Sequence, residues 1–265
     1  MASLSRHKRI TILGVEVSPS TMKGTAERVA EAVRSRRKLR LAFCTAHMMT
    51  ESQRDPALKE AVNGCDVVAT DGMPLVWLCR LKGAGYARRV YGPDAMLAFC
   101  EYGLEHGWRH YFYGATPAKL HRLEGRLRAS FPGLQVAGSY SPPFRALTPA
   151  EKQDVARRIN AAQPDLVWVG LGMPKQELWA AEFQPALDAP VILAVGAAFD
   201  FHSGAVKQAP PWMQRSGTEW LFRLSQEPGR LWRRYLIGNA VFVWLLAKEF
   251  ITSRQASRET AGRTP

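Results

Sequence analysis

Asp71 follows an apolar run, Val67-Val68-Ala69-Thr70, and is followed at once by Gly72. A carboxylate at the carboxyl end of a buried strand can act as a general base whose pKa burial raises. The same position suits a helix N-cap, because the next residues read as a helix and Asp caps well. Both readings stand at this point. Asp200, in VGAAFDFHSG, ends a second such run, where small residues let a ligand approach the backbone; a capping or turn role is the competing account. Asp94, after Gly92-Pro93, has a stronger claim to a helix start. Gly170-Leu171-Gly172 leads into Pro174, Gln176 and Glu177, a glycine-rich turn into a helix N-terminus suited to an anion or a sugar hydroxyl.

The segment 207–236, KQAPPWMQRSGTEWLFRLSQEPGRLWRRYL, carries Trp212, Trp220 and Trp232 beside Arg215, Arg223, Arg230, Arg233 and Arg234. Guanidinium forks match phosphate oxygens, and Trp favours a boundary between apolar and wet surroundings. Asp-x-Asp is absent, and the six histidines lack metal-ligand spacing. A diphosphate leaving group would then be neutralised by arginines, with Arg223, Arg230 and Arg233 as candidates; headgroup contacts or ion pairs to Glu219 and Glu227 are the alternative use. The chain also lacks a dinucleotide fingerprint, a Walker loop, a G-x-S-x-G elbow and H-E-x-x-H. No cofactor or metal is expected.

The elements that must position these residues alternate. Apolar runs at 10–15, 41–44, 66–70, 110–113, 134–138, 166–169 and 191–195 read as strands. Helical patterns occupy 21–36, 48–63, 74–81, 94–106, 117–130, 149–162 and 174–183, several opening on Thr-Pro or a similar start signal. This is an α/β, Rossmann-like pattern, a mostly parallel sheet covered on both faces. Ligands bind such sheets outside the strands' carboxyl ends. Those ends here carry Thr45-Ala46-His47, Thr70-Asp71-Gly72, Tyr113-Gly114-Ala115-Thr116, Gly170-Leu171-Gly172 and Gly196-Ala197-Ala198.

The body is expected to span residues 1–206 and a helical, membrane-associating appendage residues 207–265, broken at Pro210-Pro211 and Pro228. The second appendage helix, about 229–251, places Leu231, Trp232, Tyr235 and Leu236 on one stripe and Arg230, Arg233 and Arg234 on another. Its fully apolar stretch, AVFVWLLA, covers only about 12 Å, so no helix is expected to span a bilayer unaided. It can lie in the interface, or dock on the body or a second copy of the chain, which leaves a homo-oligomer open. The polar tail from Thr252 is expected to be disordered.

The formal charge of +13 sits at the ends: +7 over residues 1–40, zero over 41–206 and +6 over 207–265. A neutral body argues against nucleic acid, and basic ends fit an anionic membrane surface or a phosphate-bearing ligand. Four cysteines without C-x-x-C spacing read as reduced core thiols, and residues 1–15 as a lead-in to a strand rather than a signal peptide. A cytoplasmic protein, peripheral on the inner face of the plasma membrane, is the expected setting.

Six blocks in order, NGCDVVATDGMPLVW, RRVYGPDAM, YFYGATP, VWVGLGMPKQELW, AVGAAFDFHSG and the Arg/Trp segment, resemble the WecG/TagA/CpsF glycosyltransferases from about residue 10 to 235. The resemblance implies an inverting, metal-independent transfer from a UDP-sugar to a polyprenyl-diphosphate-linked sugar in bacterial surface polysaccharide synthesis. It implies Asp71 as base and appendage arginines, by spacing Arg223, Arg230 and Arg233, on the leaving diphosphate. It puts Gly172, Pro174, Gln176 and Glu177 in a substrate-binding block. Thr45, Gly114 and Asp200, at other strand ends, join them as candidate substrate contacts. Many members carry Asn where this chain has Thr45; a hydroxyl cannot donate and accept as an amide does. The alternative is a non-catalytic nucleotide-binding module recruited to the membrane.

Overall fold

The computed structural model describes residues 9–261, with side chains to residue 252. Six strands form one parallel sheet: β3 (Leu39–Cys44), β4 (Val67–Thr70), β5 (Arg109–Gly114), β6 (Gln135–Tyr140), β7 (Leu166–Gly170) and β8 (Val191–Ala194). Their order across the sheet is β4-β3-β8-β7-β5-β6. Every residue of β4 and β8 is buried, as continuous apolar runs in a two-sided parallel sheet require.

The first apolar run departs from expectation. It forms a hairpin, β1 (Ile10–Ile12) with β2 (Val15–Val17), outside the main sheet. Leu13 and Gly14 both take positive φ, the geometry of a tight turn whose twist suits antiparallel strands. The hairpin covers the β4 edge, where Ser18 N–H donates to the Val68 carbonyl at 2.8 Å.

On one face lie α1 (Met22–Ser35), α5 (Gly92–His106), α6 (Pro117–Ser130) and α9 (Ala198–His202), packed on Phe43, Phe112, Trp168 and Leu193. The other face carries α2 (Ala46–Glu51), α3 (Pro56–Asn63), α4 (Met73–Leu81), α7 (Pro149–Ala161) and α8 (Lys175–Phe183). The single helix expected over 48–63 is two, because Pro56 starts a new helix capped by the Asp55 carboxylate, which accepts from Ala57 and Leu58 N–H.

Beyond the body follow α10 (Pro211–Ser216), α11 (Glu219–Gln226), α12 (Pro228–Trp232), a π-helical turn (Arg233–Ile237) and α13 (Gly238–Ala261). These last three form one continuous helix. From Pro228 to Thr252 it is long and apolar enough, by length and composition alone, to cross a membrane. That corrects the expectation drawn from the eight-residue apolar stretch, which left out the apolar residues on either side of it. Helix also continues past Thr252 to Ala261, where a disordered tail was expected; residues 262–265 lie outside the described part.

This helix has two contrasting faces. Phe242 is buried in the cluster beneath the hairpin, with Leu245 and Leu246 against it, and the Glu249 carboxylate accepts from Leu13 N–H at 3.0 Å. The spacing 242, 245, 246, 249 is one helical stripe. Leu236, Val243, Trp244, Phe250 and Ile251 remain exposed.

Candidate active site

The carboxyl ends of β3, β4, β7 and β8 open into a cavity of about 700 Å³. Thr45, Asp71, Gly172, Gln176 and Gly196 line the wall contributed by the body, and Trp220, Arg223, Arg234 and Tyr235 line the wall contributed by the C-terminal segment.

Asp71 is 8% exposed. It does not cap the helix that follows it, whose N-cap is Gly72. Its Oδ2 accepts from Gly92 N–H at 3.2 Å, at the start of α5. Burial pushes its carboxyl up to about 6, with Arg89 opposing that rise and Glu219 adding to it. A carboxyl poised there can exchange a proton near neutral pH.

Around it runs a buried polar network that sequence reasoning missed. Arg89 Nη2 lies 3.6 Å from Asp71 Oδ1 and 2.6 Å from Glu219 Oε2. Arg89 Nε donates to the Asp71 carbonyl at 2.5 Å, and the Tyr91 hydroxyl donates to Glu219 Oε1 at 2.6 Å. Arg89 and Tyr91 stand in the block RRVYGPDAM, which drew attention only as a pattern. Glu219, at the first turn of α11, had been considered a partner for the appendage arginines; it pairs with the body instead.

The five arginines divide. Arg223 and Arg234 line the cavity, and the Nε of each is buried without a hydrogen-bond partner among the described residues. Arg223 lies 5.3 Å from the Phe201 ring centroid. Arg230 is exposed and paired with Glu227, and Arg233 is exposed beside the Trp232 ring. Neither of these lines the cavity, nor does Arg215. The π-helical turn lies where Arg234 turns inward while Arg233 faces solvent. His47 also lines the cavity, held down at about 4 by burial and by Arg234, hence neutral at pH 7.

Thr45 Oγ1 caps α2 by accepting from Met48 N–H at 3.3 Å, which leaves its own proton free to donate into the cavity. Gln176 is fastened at both ends of its amide. Its oxygen accepts from Gly172 N–H at 3.1 Å and its nitrogen donates to Glu177 Oε1 at 2.9 Å. Glu177 is 1% exposed, does not line the cavity, and is pushed up to about 7 by burial. Pro174 lies behind the lining as the N-cap residue of α8. Gly114 is needed for packing, since at φ 121° a Cβ would fall 2.5 Å from the Gly170 carbonyl oxygen. Asp200 also stays out of the cavity, in an ion pair with Lys119 that ties α9 to α6. Among the described residues no group of three His, Cys, Asp or Glu side chains could hold a metal.

A protein-family model described as the glycosyl transferase WecG/TagA/CpsF family matches residues 10–256. A Bacillus spizizenii protein named N-acetylglucosaminyldiphosphoundecaprenol N-acetyl-beta-D-mannosaminyltransferase is 31% identical over 186 residues, 70% of each chain. A Bacillus subtilis protein of the same name is 29% identical over 177 residues, 67% of each chain.

Proposed function

The chain belongs to the WecG/TagA/CpsF family of glycosyl transferases, and from that premise we propose that it moves a sugar from a UDP-sugar to a polyprenyl-diphosphate-linked sugar at a bacterial membrane surface. The names of the two Bacillus relatives support the acceptor class and an N-acetylhexosamine as the sugar moved.

In this reading Asp71 accepts the proton of an acceptor hydroxyl. The oxygen attacks the anomeric carbon, and the bond to the diphosphate breaks on the opposite face, so the configuration inverts. The cavity holds one other carboxylate, Glu219, and its two oxygens are engaged by Arg89 and Tyr91. That leaves Asp71 as the carboxylate able to act and supports a single displacement over a covalent intermediate. Arg223 and Arg234 take the charge that grows on the diphosphate, so the proposed route assigns no step to a metal. Arg230 and Arg233 serve at headgroup level instead, beside the exposed Trp212, Trp232 and Trp244, a boundary composition that supports membrane attachment.

One observation carries the proposal: a buried carboxylate poised near pH 6 shares a cavity with two guanidiniums that lack hydrogen-bond partners. The test incubates UDP-sugars with a lipid-diphosphate N-acetylglucosamine and reads products by mass. Wild type is expected to transfer one sugar, and Asp71→Asn to lose at least about 10²-fold in turnover while still binding donor. UDP bound without transfer or hydrolysis would replace the enzyme by a nucleotide-binding module.

A further inference from the structure

Glu219 is the first residue of α11, beyond the Pro210-Pro211 break, yet it is buried against the body, 130 positions from its partner Arg89. One turn later on the same helix, Arg223 reaches the cavity. The Arg89 guanidinium therefore stands between two carboxylates at unequal distances. It makes a charge-assisted hydrogen bond to Glu219 at 2.6 Å and no hydrogen bond to the Asp71 carboxylate, 3.6 Å away. Tyr91 fixes the other Glu219 oxygen, so the carboxylate cannot swing off the guanidinium without giving up a second bond.

Resting on the proposed role of Asp71 as base, we propose that Glu219 is a positioning residue through which the C-terminal segment activates the base: by holding Arg89 it keeps the guanidinium from pairing with Asp71. Without it, the nearest carboxylate for Arg89 is Asp71 itself, and a carboxylate in an arginine fork is a weak proton acceptor. Docking of the C-terminal segment and readiness of the base are then one event, because the same helix supplies Glu219 and Arg223. The groups that face Asp71 are Cys44 from β3, Arg89 and Tyr91 from the segment before α5, the Gly92 N–H of α5, Glu219 and Arg223 from α11, and Arg234 from the π-helical turn. Glu219 is the acidic member of that set, and its removal leaves the arginines unopposed.

The test compares Glu219→Gln, Arg89→Gln and Tyr91→Phe with wild type in the full chain, reading kcat against pH and donor affinity by calorimetry. The base acts when deprotonated, so the wild-type rate rises with pH through about 6. Glu219→Gln removes a negative charge and frees Arg89 for Asp71. Its kcat is expected to fall about tenfold and its acid limb to move below the wild-type position, with donor affinity within about twofold. Arg89→Gln moves the limb the opposite way, and Tyr91→Phe gives a smaller shift in the Glu219→Gln direction. A merely structural role lowers activity without moving the limb. Unmoved limbs in an active wild-type background overturn the inference alone, whereas a wild type that transfers nothing overturns the proposed function instead. Should Glu219→Gln fail to fold by thermal melting, the opposed shifts of Arg89→Gln and Tyr91→Phe decide it.

Discussion

The body wall of the cavity and the wall supplied by the C-terminal segment are built on opposite rules. In the body, side chains that face the cavity are fastened: Gln176 at both ends of its amide, Thr45 on α2, Asp71 on Gly92. In the C-terminal segment, Arg223 and Arg234 reach the cavity without hydrogen-bond partners, and a broad apolar stripe stays exposed. The fastened wall is preorganised for geometry, and the open wall holds charge in reserve for an anion. The network Asp71–Arg89–Glu219–Tyr91 is where the two rules meet.

Removing the reserve charge should separate the walls most sharply. Arg223→Gln with Arg234→Gln is expected to lower turnover about 10²-fold or more, with little change in the thermal midpoint, because neither guanidinium has a partner to lose. Full activity in that double variant would mean that the leaving charge is carried elsewhere, Arg230 and Arg233 being next in line.

A smaller effect is expected from loosening the hinge between the walls. Phe242→Ala removes the ring that seats α13 beneath the hairpin, at a cost of about 3 kcal/mol. Hydrogen exchange in the C-terminal helices should rise ahead of exchange in the sheet, with activity falling in parallel. Uniform exchange across both regions would show that they unfold as one unit.

The mildest probe touches only the fastened wall. Burial raises Glu177 to about 7, above the ordinary glutamate range. The native state then holds its proton more tightly than the unfolded chain, so its contribution to stability is present at low pH and fades as pH rises through 7. Glu177→Gln keeps an acceptor for Gln176 and should remove that fade, gaining roughly 2 kcal/mol relative to wild type at pH 8 and little at pH 4. Urea unfolding at both pH values measures it, and an equal gain at both would place the effect in packing.

Much of the body was legible because its signals are local. The runs at Val67–Thr70 and Val191–Ala194 are apolar without interruption, as a two-sided strand must be. Thr116-Pro117 and Thr148-Pro149 open helices where they were expected. The hairpin escaped because six apolar-rich residues read as one strand until a pair of positive φ angles folds them back. Asp71 was legible as a residue at a strand's end, but not as one bonded to the start of α5 rather than to its own helix.

Sequence alone therefore determined the parallel α/β body, the position of Asp71 at its carboxyl edge, and the concentration of arginine and tryptophan in the C-terminal segment. Tertiary structure decided which arginines face the cavity, that Glu219 meets Arg89 across 130 residues, and that Phe242 docks while Val243 and Trp244 stay exposed. Strand and helix patterns repeat over a few residues and are written in local composition. The direction of one side chain on a long helix depends on its phase, and here that phase follows from a π-helical turn and the surface on which the helix rests.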